Sequence, residues 1–225
     1  EEKKPASKKA DTKKTKSTST TIEDITPTYS SNTSKSWEVW GMLYLNALTG
    51  TVDSGDAATA DSSTGSSSSA IDFSAGIEKY FYNSTGFFKE FSVSLFAHKR
   101  SVETGDDVKS TSDWFEYGLG ANYHFYNPAA SINKLVLYGA LTAGKGSTSL
   151  KSTVTTGGVA TENSADGTNT FFSGGIGAKY VLNNGFGVRA ILHYYHSSES
   201  YEFETSTTTR TLAGPRVQFG LSYRF

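Results

Sequence analysis

Val217-Gln218-Phe219-Gly220-Leu221-Ser222-Tyr223-Arg224-Phe225 ends the chain, and its reading decides the fold. Val217, Phe219, Leu221, Tyr223 and Phe225 fall at every second position, with small or polar residues between them. That is the period of a β-strand with one oily face and one polar face. An oily face of this size is expected to meet either lipid or a second sheet.

Working back from the end, the same alternation recurs to Trp37. In residues 36 to 48, Trp37, Val39, Gly41, Leu43, Leu45 and Ala47 share one face, and Glu38 and Asn46 the other. Similar segments span about 70–82, 87–100, 114–125, 134–145, 170–182 and 186–197. With the terminal strand they make eight, each about as long as a tilted strand needs to be to cross a bilayer. Asn83-Ser84-Thr85-Gly86, the turn around Asn127-Pro128 and Asn183-Asn184-Gly185 are short connections of turn-forming residues. The stretches 49–69, 101–113, 146–169 and 198–209 are long and rich in Ser, Thr, Gly and Asp, and are read as loops. Short and long connections therefore alternate, which puts both chain ends on the short-turn side.

Aromatic residues gather at the strand ends. Trp37, Phe81, Phe87, Phe125, Phe186 and Phe225 lie near the short turns, and Phe115, Phe172 and Tyr194 near the long connections. Such bands suit a membrane interface, where a ring keeps its apolar body in lipid and its rim in water. The competing reading is a water-soluble sandwich or lipocalin-like barrel with the oily faces turned inward.

Composition narrows the choice. The chain is 13% aromatic, with 22 Gly and only 4 Pro, which fits strands better than helices. No apolar run reaches the roughly 18 residues of a membrane-spanning helix, so a bilayer would have to be crossed by a closed barrel. There is no cysteine, which excludes thiol nucleophiles, disulfides and cysteine metal sites. A net charge of −1 makes no case for nucleic acid. If the chain is exported, a start at Glu1 without Met is what a mature form would show. Residues 1 to 35 hold eight lysines and two of the four prolines, with Ile22, Ile25 and Tyr29 as their only large apolar side chains. They are expected to be a disordered tail, because so little apolar surface cannot offset the entropy of ordering. Its lysine pairs at 3–4, 8–9 and 13–14 suit either a solvated tail or contact with the cell wall or another polyanion.

With these residues in view, the terminal stretch from Val217 to Phe225 resembles the assembly signal of bacterial outer-membrane β-barrels. Residues 36–225 as a whole resemble the small eight-stranded barrels of the OmpA and OmpX type. The resemblance implies an all-β, antiparallel, up-and-down transmembrane barrel in the outer membrane, with periplasmic termini. Lipid and lipopolysaccharide would surround it, and the barrel-assembly machinery would insert it. The implied role is structural or surface-interacting: envelope integrity, adhesion, or host and phage contact. A narrow channel for small solutes is the alternative.

Parity also assigns the lumen. Glu38, Glu78 and Glu90 fall on the inward face near the turn ends of the first three strands, and Lys179, Arg189 and Arg224 at the same level on the last three. Charges withdrawn from water must be paired, so a salt-bridge network across the barrel is expected. Ser74, Gly76, Ser94, Gly118, Gly120, Gly175 and Gly177 are small inward residues, expected to leave water pockets beside Tyr44, Phe96 and Tyr138. An eight-stranded barrel is only wide enough for its own side chains, so a plugged lumen is expected rather than a pore. His196-Ser197-Ser198, below Glu199, Glu202 and Glu204, has the outline of the His, Ser and acid set of lipid A deacylases, but the following residues do not continue that motif and loop polarity explains it as well. The four histidines, His98, His124, His193 and His196, have no metal-ligand spacing. No cofactor is implied, and the chain is read as a non-enzyme.

Overall fold

Polar-in, apolar-out alternation becomes a closed sheet in the computed structural model, which describes residues 35–46, 48–54, 69–104, 108–125, 132–156, 159–202 and 207–225. The strands are β1 (Trp37–Asn46), β2 (Thr49–Ser54), β3 (Ser69–Tyr80), β4 (Phe91–Thr104), β5 (Val108–His124), β6 (Leu135–Thr156), β7 (Val159–Val181), β8 (Phe186–Glu202) and β9 (Thr207–Arg224). From β3 onward each pairs antiparallel with the next, while β1 pairs with β3 on one side and β9 on the other. Asn46 faces Arg216 and Thr49 faces Ala213, so β2 continues β1 in one register along β9. The result is an eight-stranded up-and-down barrel whose first strand is in two pieces. Closure leaves no sheet edge through the lipid-facing band, where an unpaired edge would be costly.

Burial is inverted relative to a water-soluble protein. Inward Glu38, Ser74 and Glu78 are 0% exposed, whereas outward Leu119 is 63% and Leu141 and Leu221 are each 68% exposed. This overturns the sandwich or lipocalin-like alternative, which needs the oily faces inside. The chain ends meet at one rim: the Trp37 N–H donates to the Phe225 carbonyl at 3.2 Å, and the Phe225 N–H to that of Trp37 at 2.9 Å. Gly185, at φ +95°, closes the Asn183-Asn184-Gly185 hairpin. The expected tail, apart from Lys35, and the turn at Asn127-Pro128 lie outside the described residues.

Two element expectations are corrected. Residues 87–90 do not begin a strand: Gly86–Glu90 is a 3-10 helix, opened by Gly86 at φ +66°. Consecutive Phe87 and Phe88 both pack against Phe91, and a strand would have sent the two rings to opposite faces. The stretches read as long loops are largely strand: β6 and β7 run 22 and 23 residues and pair without a break from Leu135↔Tyr180 to Thr156↔Val159. Beyond the oily band the outward residues, such as Lys145, Ser147 and Lys151, are as polar as the inward ones, so alternation of hydropathy vanishes while the hydrogen-bond ladder continues.

Candidate functional site

Every second side chain points inward, and together they fill the lumen in layers. The layer nearest the chain termini is built on two carboxylates set opposite each other, Glu38 on β1 and Glu78 on β3. Two like charges so placed would repel, and three cations hold them. Arg224 donates to Glu38 at 3.1 Å, Arg189 donates to Glu78 at 3.0 Å and lies 3.6 Å from Glu38, and the Lys179 ammonium is 3.6 Å from Glu78. Tyr80 donates to Glu38 at 2.6 Å and accepts from Lys179; Ser92 also donates to Glu78, and Asn122 does so at 3.0 Å. Removing one partner from such a buried set leaves a charge uncompensated, at a cost of about 3–5 kcal/mol.

Five of the six residues assigned to this network by parity, Glu38, Glu78, Lys179, Arg189 and Arg224, are brought together. Glu90 is not among them. It sits on the 3-10 helix, which breaks the parity of β4, and its carboxylate accepts from the Tyr123 hydroxyl at 2.8 Å. Its carbonyl instead accepts from His124 Nδ1 at 3.0 Å, leaving Nε2 facing the Lys179 ammonium at 2.7 Å.

The next layer is apolar. Trp40 and Phe96 are 6.3 Å apart, centroid to centroid, and Phe96 and Phe171 are 6.0 Å apart; Met42, Ala140 and Ile191 complete the layer. Of the inward glycines expected to leave water pockets, Gly76 and Gly177 do not, because rings lie over them. A Cβ on Gly76 would stand 2.5 Å from the Trp40 ring, and one on Gly177 would stand 2.3 Å from Tyr138 Cζ. The space that remains here, bordered by Ser94, Thr142 and Ser173, is about 50 Å³, room for a few waters.

Above lies a second charged layer. His98 turns Nδ1 to Glu116 at 2.6 Å and Nε2 to Asp72. Arg216 lies between the rings of Tyr44 and Tyr195, 4.3 Å from each centroid, with Nε donating to Asn46 at 2.6 Å. A third layer surrounds Glu199, which accepts from Trp114 at 2.7 Å, Tyr201 at 2.8 Å and Arg210 Nε at 2.8 Å, while Arg100 stacks on Trp114 at 3.8 Å. Sequence reasoning missed both upper networks. The parity that found Glu38 also marks Asp72, Glu116 and Arg216, all outside the stretches read as loops, as inward; of the upper carboxylates only Glu199 fell in a stretch read as a loop.

On the outside, Trp37, Phe87, Phe125, Phe186 and Phe225 are exposed toward the terminal end, Phe115, Phe172 and Tyr194 toward the other, and Phe81 is half-buried. In the terminal stretch Val217, Phe219, Leu221, Tyr223 and Phe225 all face outward and are exposed, while Gln218, Ser222 and Arg224 are buried in the lumen. His196 and Ser198 are on the outer face, where the His196 ring packs 4.9 Å from Phe172. Glu199 points the opposite way, into the lumen, and Glu202 is four residues, about 13 Å, beyond Ser198. Glu204 lies outside the described residues. No described carboxylate is placed to orient His196. Among the described residues no group of three or more His, Asp or Glu side chains converges as a metal site.

Solved structures match the chain at low identity. A major outer membrane protein from Thermus thermophilus is 9% identical with a TM-score of 0.52, covering 84% of this chain and 99% of its own. The outer membrane protein OprG from Pseudomonas aeruginosa is 15% identical at a TM-score of 0.49, covering 85% and 96%. The attachment invasion locus protein Ail of Yersinia pestis is 15% identical at 0.38, covering 85% and 99%. No curated protein matches the sequence. Residues 26–225 match the model of the outer membrane protein beta-barrel domain, and the chain belongs to that family of outer-membrane barrels.

Proposed function

We propose that the chain is a sealed outer-membrane barrel that acts through its outer surface, in adhesion or in maintaining the envelope, with both termini in the periplasm. The observation that carries this reading is the disparity between lumen and rim. The interior is occupied by paired charges and an aromatic layer, with about 50 Å³ of space between them. The β6–β7 ladder, by contrast, continues for twelve residues of β6 past Gly144, about 40 Å along the strand. Its outward side chains there are Lys145, Ser147, Ser149 and Lys151, suited to water and not to lipid.

The test replaces Lys151–Ser164 with a two-residue Asn-Gly turn, keeping the Leu150↔Ala165 pair as its flank. The shortened barrel is expected to keep its heat-dependent gel mobility. Expressing cells should lose attachment to epithelial monolayers while keeping resistance to detergent. Unchanged attachment together with unchanged detergent resistance in a full deletion overturns the surface reading. The narrow-channel alternative is favoured only by the small space at mid-lumen, and discrete conductance steps from the intact chain in a planar bilayer would select it.

A further inference from the structure

Arg189 presents two different edges to the lumen. Its Nη1 turns to the carboxylates of the layer nearest the chain termini, 3.0 Å from Glu78 and 3.6 Å from Glu38. Nε and Nη2 form another edge of the planar guanidinium, a fork suited to holding an anion between two N–H groups. On that edge Nη2 donates to the Tyr138 hydroxyl at a long 3.5 Å, and Nε has no hydrogen-bond partner among the described residues, although Arg189 is only 6% exposed. The guanidinium lies 5.1 Å from the centre of the Trp40 ring and 5.7 Å from that of Tyr138. Each of these rings carries a donor. The indole N–H of Trp40 is buried without a partner, and the Tyr138 hydroxyl accepts from Arg189 but donates to no described residue. All three side chains line the space of about 50 Å³ in the apolar layer. Among the described residues on its walls, the buried polar atoms left without a partner, Arg189 Nε and Trp40 Nε1, are both donors. Charge points the same way. Among the described residues, the layer nearest the termini sets three cations, Lys179, Arg189 and Arg224, against two carboxylates, Glu38 and Glu78. One positive charge is in surplus, and buried charge is costly unless compensated.

We propose that the lumen holds one small monovalent anion, a halide or a planar oxyanion of the size of nitrate, between Arg189, Trp40 and Tyr138. Arg189 Nε, Trp40 Nε1 and the Tyr138 hydroxyl supply three donors, and the ion supplies the acceptor they lack. A water molecule would accept from at most two of them and would bring two protons of its own to place. A divalent anion would exceed the single surplus charge, and a larger solute does not fit a space of about 50 Å³. Glu38 and Glu78 lie on the Nη1 side of Arg189, where each is engaged by cations, so neither occupies the fork that the ion would use. The lumen on either side is filled, so the ion enters as the barrel folds and exchanges slowly afterwards.

The test refolds the full chain from urea into detergent with bromide or with nitrate, and exchanges the free ion for gluconate. Ion chromatography after unfolding then counts the anion retained. One anion per barrel is expected, together with a higher urea midpoint in bromide or nitrate than in gluconate at equal ionic strength. W40F and Y138F each remove one donor and keep the ring. Each should weaken retention about tenfold, the scale of a hydrogen bond to a charged group, and W40F/Y138F should retain none. Y82F deletes a buried, unpartnered hydroxyl that does not line the space, and should retain the ion as the wild type does. Competition separates the two sources: bromide displaced better by chloride than by nitrate assigns a halide, and the reverse a planar oxyanion. Retention of neither ion by the folded wild type, or equal retention by W40F/Y138F, overturns the proposal. Heat-dependent gel mobility confirms folding of each variant, and the single variants carry the test if the double variant does not fold. The anion count depends neither on which end of the barrel faces outward nor on attachment, so it is read separately from the surface reading.

Discussion

At Gly177 a ring stands where a side chain would otherwise be. Gly177 pairs with Tyr138 across the β6–β7 ladder, and Tyr138 lays its ring over it so closely that a Cβ would sit 2.3 Å from Cζ and 2.6 Å from the hydroxyl. Tyr138 is 1% exposed, and Arg189 stacks 5.7 Å from its ring, so it has little room to retreat. Gly139, on the same ladder, faces outward, with its nearest neighbour 4.0 Å from a Cβ. Gly177→Ala is therefore expected to destabilise by about 1–3 kcal/mol through overpacking, and Gly139→Ala to change stability by less than about 0.5 kcal/mol. Urea unfolding in lipid vesicles, followed by tryptophan fluorescence, measures both; equal effects would mean that the ring contact does not matter. The sequence shows that Gly177 faces inward, and by itself that reads as empty space. Only the register reveals that the space belongs to a residue about forty positions away in the chain.

Strand turns and strand extensions differ in how clearly the sequence announces them. Asn183-Asn184-Gly185 is legible because its conformation is set by local chemistry. Phe186 N–H donates to Asn184 Oδ1 at 3.1 Å, and Gly185 holds φ +95°. The turn is also tied to the neighbouring strand, since Arg224 N–H donates to the Gly185 carbonyl at 2.9 Å and a Cβ at Gly185 would lie 2.5 Å from the Arg224 carbonyl oxygen. Gly185→Ala is expected to cost more than the roughly 1 kcal/mol of backbone strain alone, and to slow closure of β8 on β9. Time-resolved appearance of the heat-resistant gel band during refolding is the measurement; wild-type kinetics would show the turn to be free of β9. The extended β6–β7 ladder is not legible, because Ser, Thr and Gly on both faces give no amphipathic signal. The helix at Gly86–Glu90 is hidden for the opposite reason, since Phe87 and Phe91 match strand parity while Phe88 does not.

For the whole molecule the question is which layer seals the lumen. The charged layers are polar and could be bridged by water, and their ions can rearrange among several partners. The rings of Trp40, Phe96 and Phe171 narrow the lumen with apolar faces, and a constriction of that kind excludes ions by dewetting. Phe96 is its keystone by position, lying between Trp40 at 6.3 Å and Phe171 at 6.0 Å. Shortening Trp40 and Phe96 to alanine is expected to widen the 50 Å³ space, bordered by Arg189 on one side and by His98 and Glu116 on the other, into a path between the charged layers. The intact chain should be silent in planar bilayers, W40A/F96A should give discrete steps, and E38Q/R224Q should stay silent although it breaks an ion pair. Among the described residues the inward cations, Lys179, Arg189, Arg224, Arg100, Arg216 and Arg210, outnumber the inward carboxylates Glu38, Glu78, Asp72, Glu116 and Glu199, so the opened lumen should prefer anions, read from the reversal potential in a salt gradient. If E38Q/R224Q conducts and W40A/F96A does not, the ion pairs are the seal and the aromatic layer is only packing.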